Sequence, residues 1–332
     1  METFYHVFQQ SLNFAIPLLI VALGGMFSEK SGVINIALEG IMIIGAFTGA
    51  MFLAAVRGNE FFSANPQLKF ILAIILGAVS GMIFASLLAF ASVNMKADQT
   101  IGGTALNLLS VALVVFIARS TNPNTTKNVE FGKIPSIKEV PLFSKIPVLG
   151  DMFFKNVYIS TYIGIIILLI AIVVLKKTRF GLRLSACGEH PHAAQSLGVN
   201  VYRMRWYGVL ISGALGGLGG VAYIIPTTVG FNGTVHGFGF LALAVMIFGQ
   251  WKPLRILFSA LFFGFFSAMA FAYFAIDFMN AFVDFLQKMG IDNPREIIHM
   301  IPYVATMVAL ALTSKKSRAP KASGIPFEPG AR

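Results

Sequence analysis

Long apolar runs separated by short polar stretches dominate the chain: 11–28, 33–56, 68–93, 100–118, 157–175, 206–225, 253–275 and 297–313. Each is close to the roughly 20 residues that a helix needs to cross a hydrocarbon core. A bilayer offers the backbone no water to bond, so each run predicts a membrane-spanning helix. A further run, 238–250, is shorter and flanked by Gly237, Gly239, Gly249 and Pro253, which predicts either a short span or a re-entrant half-helix. The expected fold is an all-α polytopic membrane protein over 1–313, with nine crossings (eight to ten if broken helices are counted differently).

The polar stretches set the expected sidedness. Segment 176–205 holds Lys176, Lys177, Arg179, Arg183, Arg203 and Arg205 against the single acid Glu189, which places it in the cytoplasm. The tail 314–332 is basic as well and is expected on the same side. Its Pro320, Gly324, Pro326, Pro329 and Gly330 make it read as disordered. An even number of crossings must then separate the two, which favours counting 238–250. Counting back puts the loop 119–156 and the N-terminus outside. That loop carries TNPNTTKN with Pro135, Pro141 and Pro147, so it is expected to be a turn-rich cap.

Composition narrows the class. With 56% hydrophobic and 12% charged residues, the soluble globular class is excluded, and a lipid bilayer is the expected environment. The excess of 25 Lys and Arg over 14 acids belongs to the loops of such a chain, so nucleic acid is not expected as a partner. A lone cysteine, Cys187, excludes an intrachain disulfide. The first ten residues carry Glu2 and no Lys or Arg, and no cleavage signal follows, so the first run is expected to stay as a helix.

Between two apolar runs lies ACGEHPHAAQSLGVN, residues 186–200. Gly188 and Pro191 mark the start of a short helix and Gly198 its end. Fewer than two turns cannot be stable alone. Ala193 and Ala194 are small enough to let another surface approach closely, so this helix is expected to lie in a groove on another chain.

The segment TRFGLRLSACGEHPHAAQSLGVNV, 178–201, resembles the cytoplasmic coupling segment of ATP-binding-cassette importer permeases, in the branch shared by simple-sugar, nucleoside and branched-chain amino-acid importers. FSEKSGVINIALEGIMIIGAFTGA (27–50), ADQTIGGTALNLL (97–109) and GFGFLALAVMIFGQWKP (237–253) resemble the same branch, most of all its nucleoside permeases. His190 departs from the Asn common at its position. The resemblance implies two permeases seated on two ATPase subunits and fed by an extracellular substrate-binding lipoprotein, with a second, related permease favoured as the pairing partner. It implies ATPase-coupling residues at Gly188, Glu189, Pro191, Ala193, Ala194 and Gly198. ATP and Mg would sit on the ATPase. The sequence agrees with that division of labour, because no GxxxxGK[ST] phosphate loop occurs and FGKIPS (131–136) lacks its spacing.

Other constellations are weaker. Cys187, Glu189, His190 and His192 are too crowded on one turn to build a metal site. Glu39 falls inside an apolar run, where a carboxylate is costly. It either faces a polar translocation path or pairs with Asn35, Asn107 or the bend 28–31, and Asn107 has the same choice. The glycines of SGALGGLGGVAYIIP (212–226) suit a packing seam or a hinge. The stretch 227–240 offers Asn232, Thr234 and His236 beside Phe231 and Phe238, which would suit a nucleobase or simply form a glycine-rich turn. No catalytic set stands out, Asp277 and Asp284 included, so the chain is read as a transport subunit rather than an enzyme. The rival reading is an ion-coupled secondary transporter.

Overall fold

The computed structural model describes residues 2–121, 128–139, 154–271, 277–289 and 319–328, with isolated positions between them. Its helices are α1 (Glu2–Lys30), α2 (Leu38–Ala55), α3 (Glu60–Ala64), α4 (Pro66–Ala89) with a π-helical turn (Phe90–Asn94), α5 (Gln99–Thr121), α6 (Ile159–Lys177), α7 (Arg179–Glu189), α8 (Pro191–Ser196), α9 (Val201–Thr227), α10 (Phe238–Phe248), α11 (Pro253–Phe271) and α12 (Asp277–Lys288). Two antiparallel pairings of short strands accompany them: β1 (Val129–Glu130) with β4 (Gly230–Phe231), and β2 (Ile137–Glu139) with β3 (Lys155–Val157). Among the described residues, seven helices are long and apolar enough to span a membrane, namely α1, α2, α4 with its π-turn, α5, α6, α9 and α11.

Helix α9 is the central packing element, lying against α4, α1 and α2. Lipid tails are as apolar as leucine, so membrane helices associate through close van der Waals contact rather than through exclusion from water. The glycines of α9 permit that approach. A methyl group on Gly217 would overlap the Gly77 carbonyl of α4, and one on Gly220 would overlap the Met42 carbonyl of α2. The glycine run is therefore a packing seam in this structure.

Contacts between non-neighbouring segments define two ends of the bundle. At one, Ile34 N donates to Gln99 Oε1 at 2.7 Å, Trp206 Nε1 to Asn94 Oδ1 at 2.8 Å and Trp251 Nε1 to Glu29 Oε2 at 2.7 Å. At the other, Gln67 Nε2 donates to Pro135 O at 3.1 Å and β1 pairs with β4. Helix α10 starts inside the bundle, where the Phe238 ring lies 4.2 Å from that of Tyr223 and 5.9 Å from that of Phe14. It finishes beside Trp251. Residues 228–248 therefore pass from one end to the other, first as irregular chain and then as an 11-residue half-helix. The run 238–250 is thus a helix over Phe238–Phe248, shorter than those long enough to span a membrane.

Three sequence expectations need correction. The run 33–56 is helical only from Leu38, because Gly32 takes φ +96° and Ser28 accepts the N–H groups of Ser31 and Val33, turning the chain before α2 begins. The tail expected to be disordered is ordered over 319–328, where Phe327 is 4% exposed and packs on the α8 end. Burying such a ring contributes about 2 kcal/mol, which joins the backbone hydrogen bonds of Ala322, Gly324 and Ile325 in offsetting the entropy of ordering the segment. Gly188 lies within α7 rather than at the start of the short helix, its Cα side pressed on the Lys30 carbonyl. The amphipathic α12 was not anticipated. The expected span 297–313 lies outside the described residues except at single positions, as do TNPNTTKN, Pro141 and Pro147. The end of α1 and residues 319–328 lie at the same end of the bundle, where Gly324 N donates to Gly32 O and Ala322 N to Gly188 O.

Candidate functional site

Two regions carry the sequence-derived site residues. The first is an interior junction where α2 and α10 both begin. Glu39, in the first turn of α2 and 7% exposed, accepts Gly237 N on Oε1 at 2.9 Å and Gly239 N on Oε2 at 2.6 Å. Its carboxylate thus closes the N-terminus of α10, where unpaired N–H groups and the helix dipole favour negative charge. Gly239 is needed there, since a methyl group would strike the Glu39 backbone. None of the pairings expected for Glu39 with Asn35, Asn107 or the bend 28–31 occurs.

Asn107 of α5 serves the start of α2 instead. Its Oδ1 accepts Gly40 N at 2.7 Å and its Nδ2 donates to Ile36 O at 3.0 Å. Asn35, fully buried, donates from Nδ2 to Ser212 Oγ of α9 at 2.8 Å, and its Oδ1 finds no acceptor-matching donor among the described residues. Glu39, Asn107 and Asn35 therefore gather around one broken stretch of backbone, tying α2 to α10, α5 and α9. Ser212 and Gln99 belong to the same set and were missed, because a serine in a glycine-rich run and a glutamine at a helix start carry no distinctive sequence signal.

Asn232 and His236 are not part of that cluster. Asn232 lines a cavity of about 520 Å³ at the β1–β4 end, together with Asn128, Glu130, Lys133, Tyr158 and Thr227. His236 is exposed with φ +54°, and its N–H donates to Thr234 Oγ1 at 3.0 Å. The stretch 228–237 leads from this polar cavity down to Glu39.

The second region is the α7–α8 end. Thr178 caps α7 by accepting Gly181 N, and Pro191 opens α8 with its fixed φ at a position needing no N–H donor. Gly198 ends it with φ +79°, donating to Gln195 O at 2.8 Å. The two alanines face opposite ways. Ala194 is 3% exposed and packs inward, while Ala193 is exposed, as are Glu189, His190 and Leu197, the last at 84%. Only Ala193 therefore offers the close approach expected of both. Cys187 is turned into the core, where burial pushes its thiol up to about 11, so it stands apart from Glu189 and His190 as a would-be ligand. Nearby Arg205 of α9 is 1% exposed and donates from Nη1 to Ile325 O at 2.9 Å. In the sequence Arg205 is one of several loop-side cations with nothing to mark it for burial.

Comparison with known proteins agrees with this anatomy. The profile of the family described as branched-chain amino acid transport system / permease component matches residues 7–310. The nucleoside ABC transporter permease protein NupC of Lactococcus lactis is 41% identical over 318 residues, covering 95% of this chain and 94% of its own. The guanosine ABC transporter permease protein NupQ of Bacillus subtilis is 40% identical over 326 residues, 97% of this chain and 96% of its own. A second Lactococcus lactis protein, the nucleoside ABC transporter permease protein NupB, is 27% identical over 259 residues, 74% of this chain and 67% of its own. No solved structure matches. With likeness running along almost the whole length, from the broken α1–α2 junction through α8 to α11, this chain belongs to the branched-chain amino acid transport system permease family.

Proposed function

We propose that this chain is the membrane-spanning permease subunit of an ATP-driven nucleoside importer, multi-pass in the plasma membrane. The observation that carries the reading is α8: a short helix standing at one end of a membrane bundle, with Ala193 and the 84%-exposed Leu197 turned outward. Small Ala193 lets another chain approach the helix closely, and Leu197 beside it offers apolar area that such a chain would cover. The partner is an ABC ATPase carrying ATP and Mg, and α8 with Gly188, Glu189, Pro191 and Gly198 around it is the coupling element. That end is cytoplasmic, in keeping with its lysines and arginines, and the N-terminus is external.

Nucleosides are supported as substrate by relatives at 41% and 40% identity that bear nucleoside and guanosine transporter names. The path runs from the Asn232 cavity, where an extracellular binding lipoprotein delivers, past His236 to the junction of Glu39, Asn35 and Asn107. Closure of the ATPases moves α8, and the bundle reopens to the other side. The occurrence of two related permeases in one Lactococcus species favours pairing with a second, non-identical permease.

The test is affinity purification in mild detergent with identification of copurifying proteins, comparing wild type with Ala193→Glu, alongside guanosine uptake by cells. An ATPase that is retained by wild type and lost from Ala193→Glu is the expected result. Uptake that persists without any associated ATPase sinks the reading and favours an ion-coupled carrier.

A further inference from the structure

The ordered segment 319–328 crosses the α8 end and ties together elements that are distant in sequence. Ala322 N donates to Gly188 O of α7 at 2.8 Å, and Gly324 N donates to Gly32 O of the α1–α2 turn at 3.3 Å. Ile325 O accepts from Arg205 of α9 at 2.9 Å. The Phe327 ring lies 5.2 Å from that of His192 on α8 and 5.5 Å from that of Tyr202 on α9, with the Arg205 guanidinium 5.9 Å from its centre. Glu328 pairs with Lys96, beyond the π-turn, at 2.9 Å.

Three physical features separate this arrangement from a tail resting on a surface. Arg205 is 1% exposed, and Ile325 O is the acceptor that it finds in this chain, its Nε and Nη2 having none among the described residues. A buried cation stripped of its acceptor is strongly disfavoured, so the segment and Arg205 hold each other in place. Phe327 is the one large apolar side chain of the segment that is turned inward, and it inserts between α8 and α9. Pro320 and Pro326 limit the unfolded chain, lowering the entropy lost when the segment docks.

α8 has six residues and cannot hold its own shape. Force applied to it must leave through whatever it touches. Phe327 touches both α8 and α9, and Gly324 of the same segment is bonded to the turn that leads into Asn35 and Glu39.

We infer that residues 319–328 are a strap that fastens the coupling helix α8 to α9 and to the α1–α2 turn, with Phe327 and Arg205 as its positioning residues. The strap's role in transport rests on the importer reading given above; its attachment to α8 does not.

The experiment has two arms. In the first, the full complex with its ATPase, companion permease and binding protein is reconstituted in liposomes with wild type, a chain ending at 318, Phe327→Ala or Phe327→Leu. Guanosine taken up per ATP hydrolysed should fall by about tenfold or more in the truncated and Phe327→Ala complexes while the ATPase still copurifies, and Phe327→Leu should recover most of it. Wild-type uptake per ATP from the truncated complex overturns the strap. Loss of the ATPase from the Phe327→Ala complex also overturns it, since the segment would then be a docking surface. Should the truncated chain fail to insert, the Phe327→Ala and Phe327→Leu pair decides: equal uptake per ATP from the two counts against the strap. In the second arm, His192→Cys and Phe327→Cys are combined in membranes without the ATPase and treated with a short bifunctional thiol reagent. A cross-link is expected whatever the chain transports. Its absence rejects the attachment, whereas a cross-link without a copurifying ATPase in wild type rejects the importer reading alone.

Discussion

At the interior junction Glu39 and Asn107 direct their hydrogen bonds to backbone of their own chain, whereas at the α8 end Ala193 and Leu197 face outward without cover. Glu39 closes the start of α10 and Asn107 the start of α2, so both helices have fixed origins inside the bundle. α8, by contrast, has only one inward anchor among its alanines, Ala194. In a bilayer the first arrangement is obligatory, because irregular backbone at membrane depth survives only where protein satisfies it. The second is tolerable because that end meets water. The junction ties α2, α5, α9 and α10 together through fixed hydrogen bonds, and the α8 end leaves Ala193 and Leu197 open.

The sharpest way to break this contrast is to deny its packing to α9, the helix that holds the junction through Ser212. Gly217→Val would drive a side chain into the Gly77 carbonyl. Overpacking against backbone costs about 3 kcal/mol or more, so the protein should lose its monodisperse peak in fluorescence-detected size exclusion. Next, Glu39→Ala leaves the N–H groups of Gly237 and Gly239 without their acceptor, at about 1–3 kcal/mol for each such group. Thermal unfolding in detergent should show a clear loss of stability, with Glu39→Gln losing less because one acceptor oxygen remains. Unchanged stability in Glu39→Ala together with abolished uptake would instead make the carboxylate a substrate contact.

The two alanines of α8 test the other side of the comparison. Ala193→Glu should reduce ATPase capture by roughly tenfold while leaving thermal stability as in wild type. Ala194→Glu should lower both, since burying an unpaired carboxylate against the protein's own core is costly whether or not a partner exists. Equal stability of the two variants would show that α8 is not seated as described. Cys187 gives a further check: with its thiol held up near 11 by burial, a maleimide at about pH 8 should label it in denatured but not in native protein. The smallest effect is expected from Lys96→Ala, which removes an exposed ion pair to Glu328 and should change uptake by less than about twofold.

Much of the architecture was legible in the chain itself. Apolar runs long enough to cross a bilayer announce themselves, since a helix is the one local solution there, and Pro191 and Gly198 bracket α8 because their backbone preferences are local. The site was legible only in part. Glu39 and Asn107 stood out as polar groups in greasy surroundings, but their partners did not, because Gly237 and Gly239 lie about 200 residues away and offer only backbone N–H groups. Ala193 and Ala194 are the same residue type in adjacent positions, and only the seating of α8 turns one inward and the other out.

What the sequence determined, then, is the membrane-spanning class, the breaks between helices and the family likeness, all of which follow from hydropathy, Gly and Pro preferences and local motifs. The tertiary structure alone decided that the run 33–56 starts as turn, that Arg205 is buried and that residues 319–328 are fastened across the α8 end. These depend on contacts between segments far apart in the chain. A lone Phe327 among prolines and glycines reads as a solvated tail until the hollow between α8 and α9 that receives its ring is known.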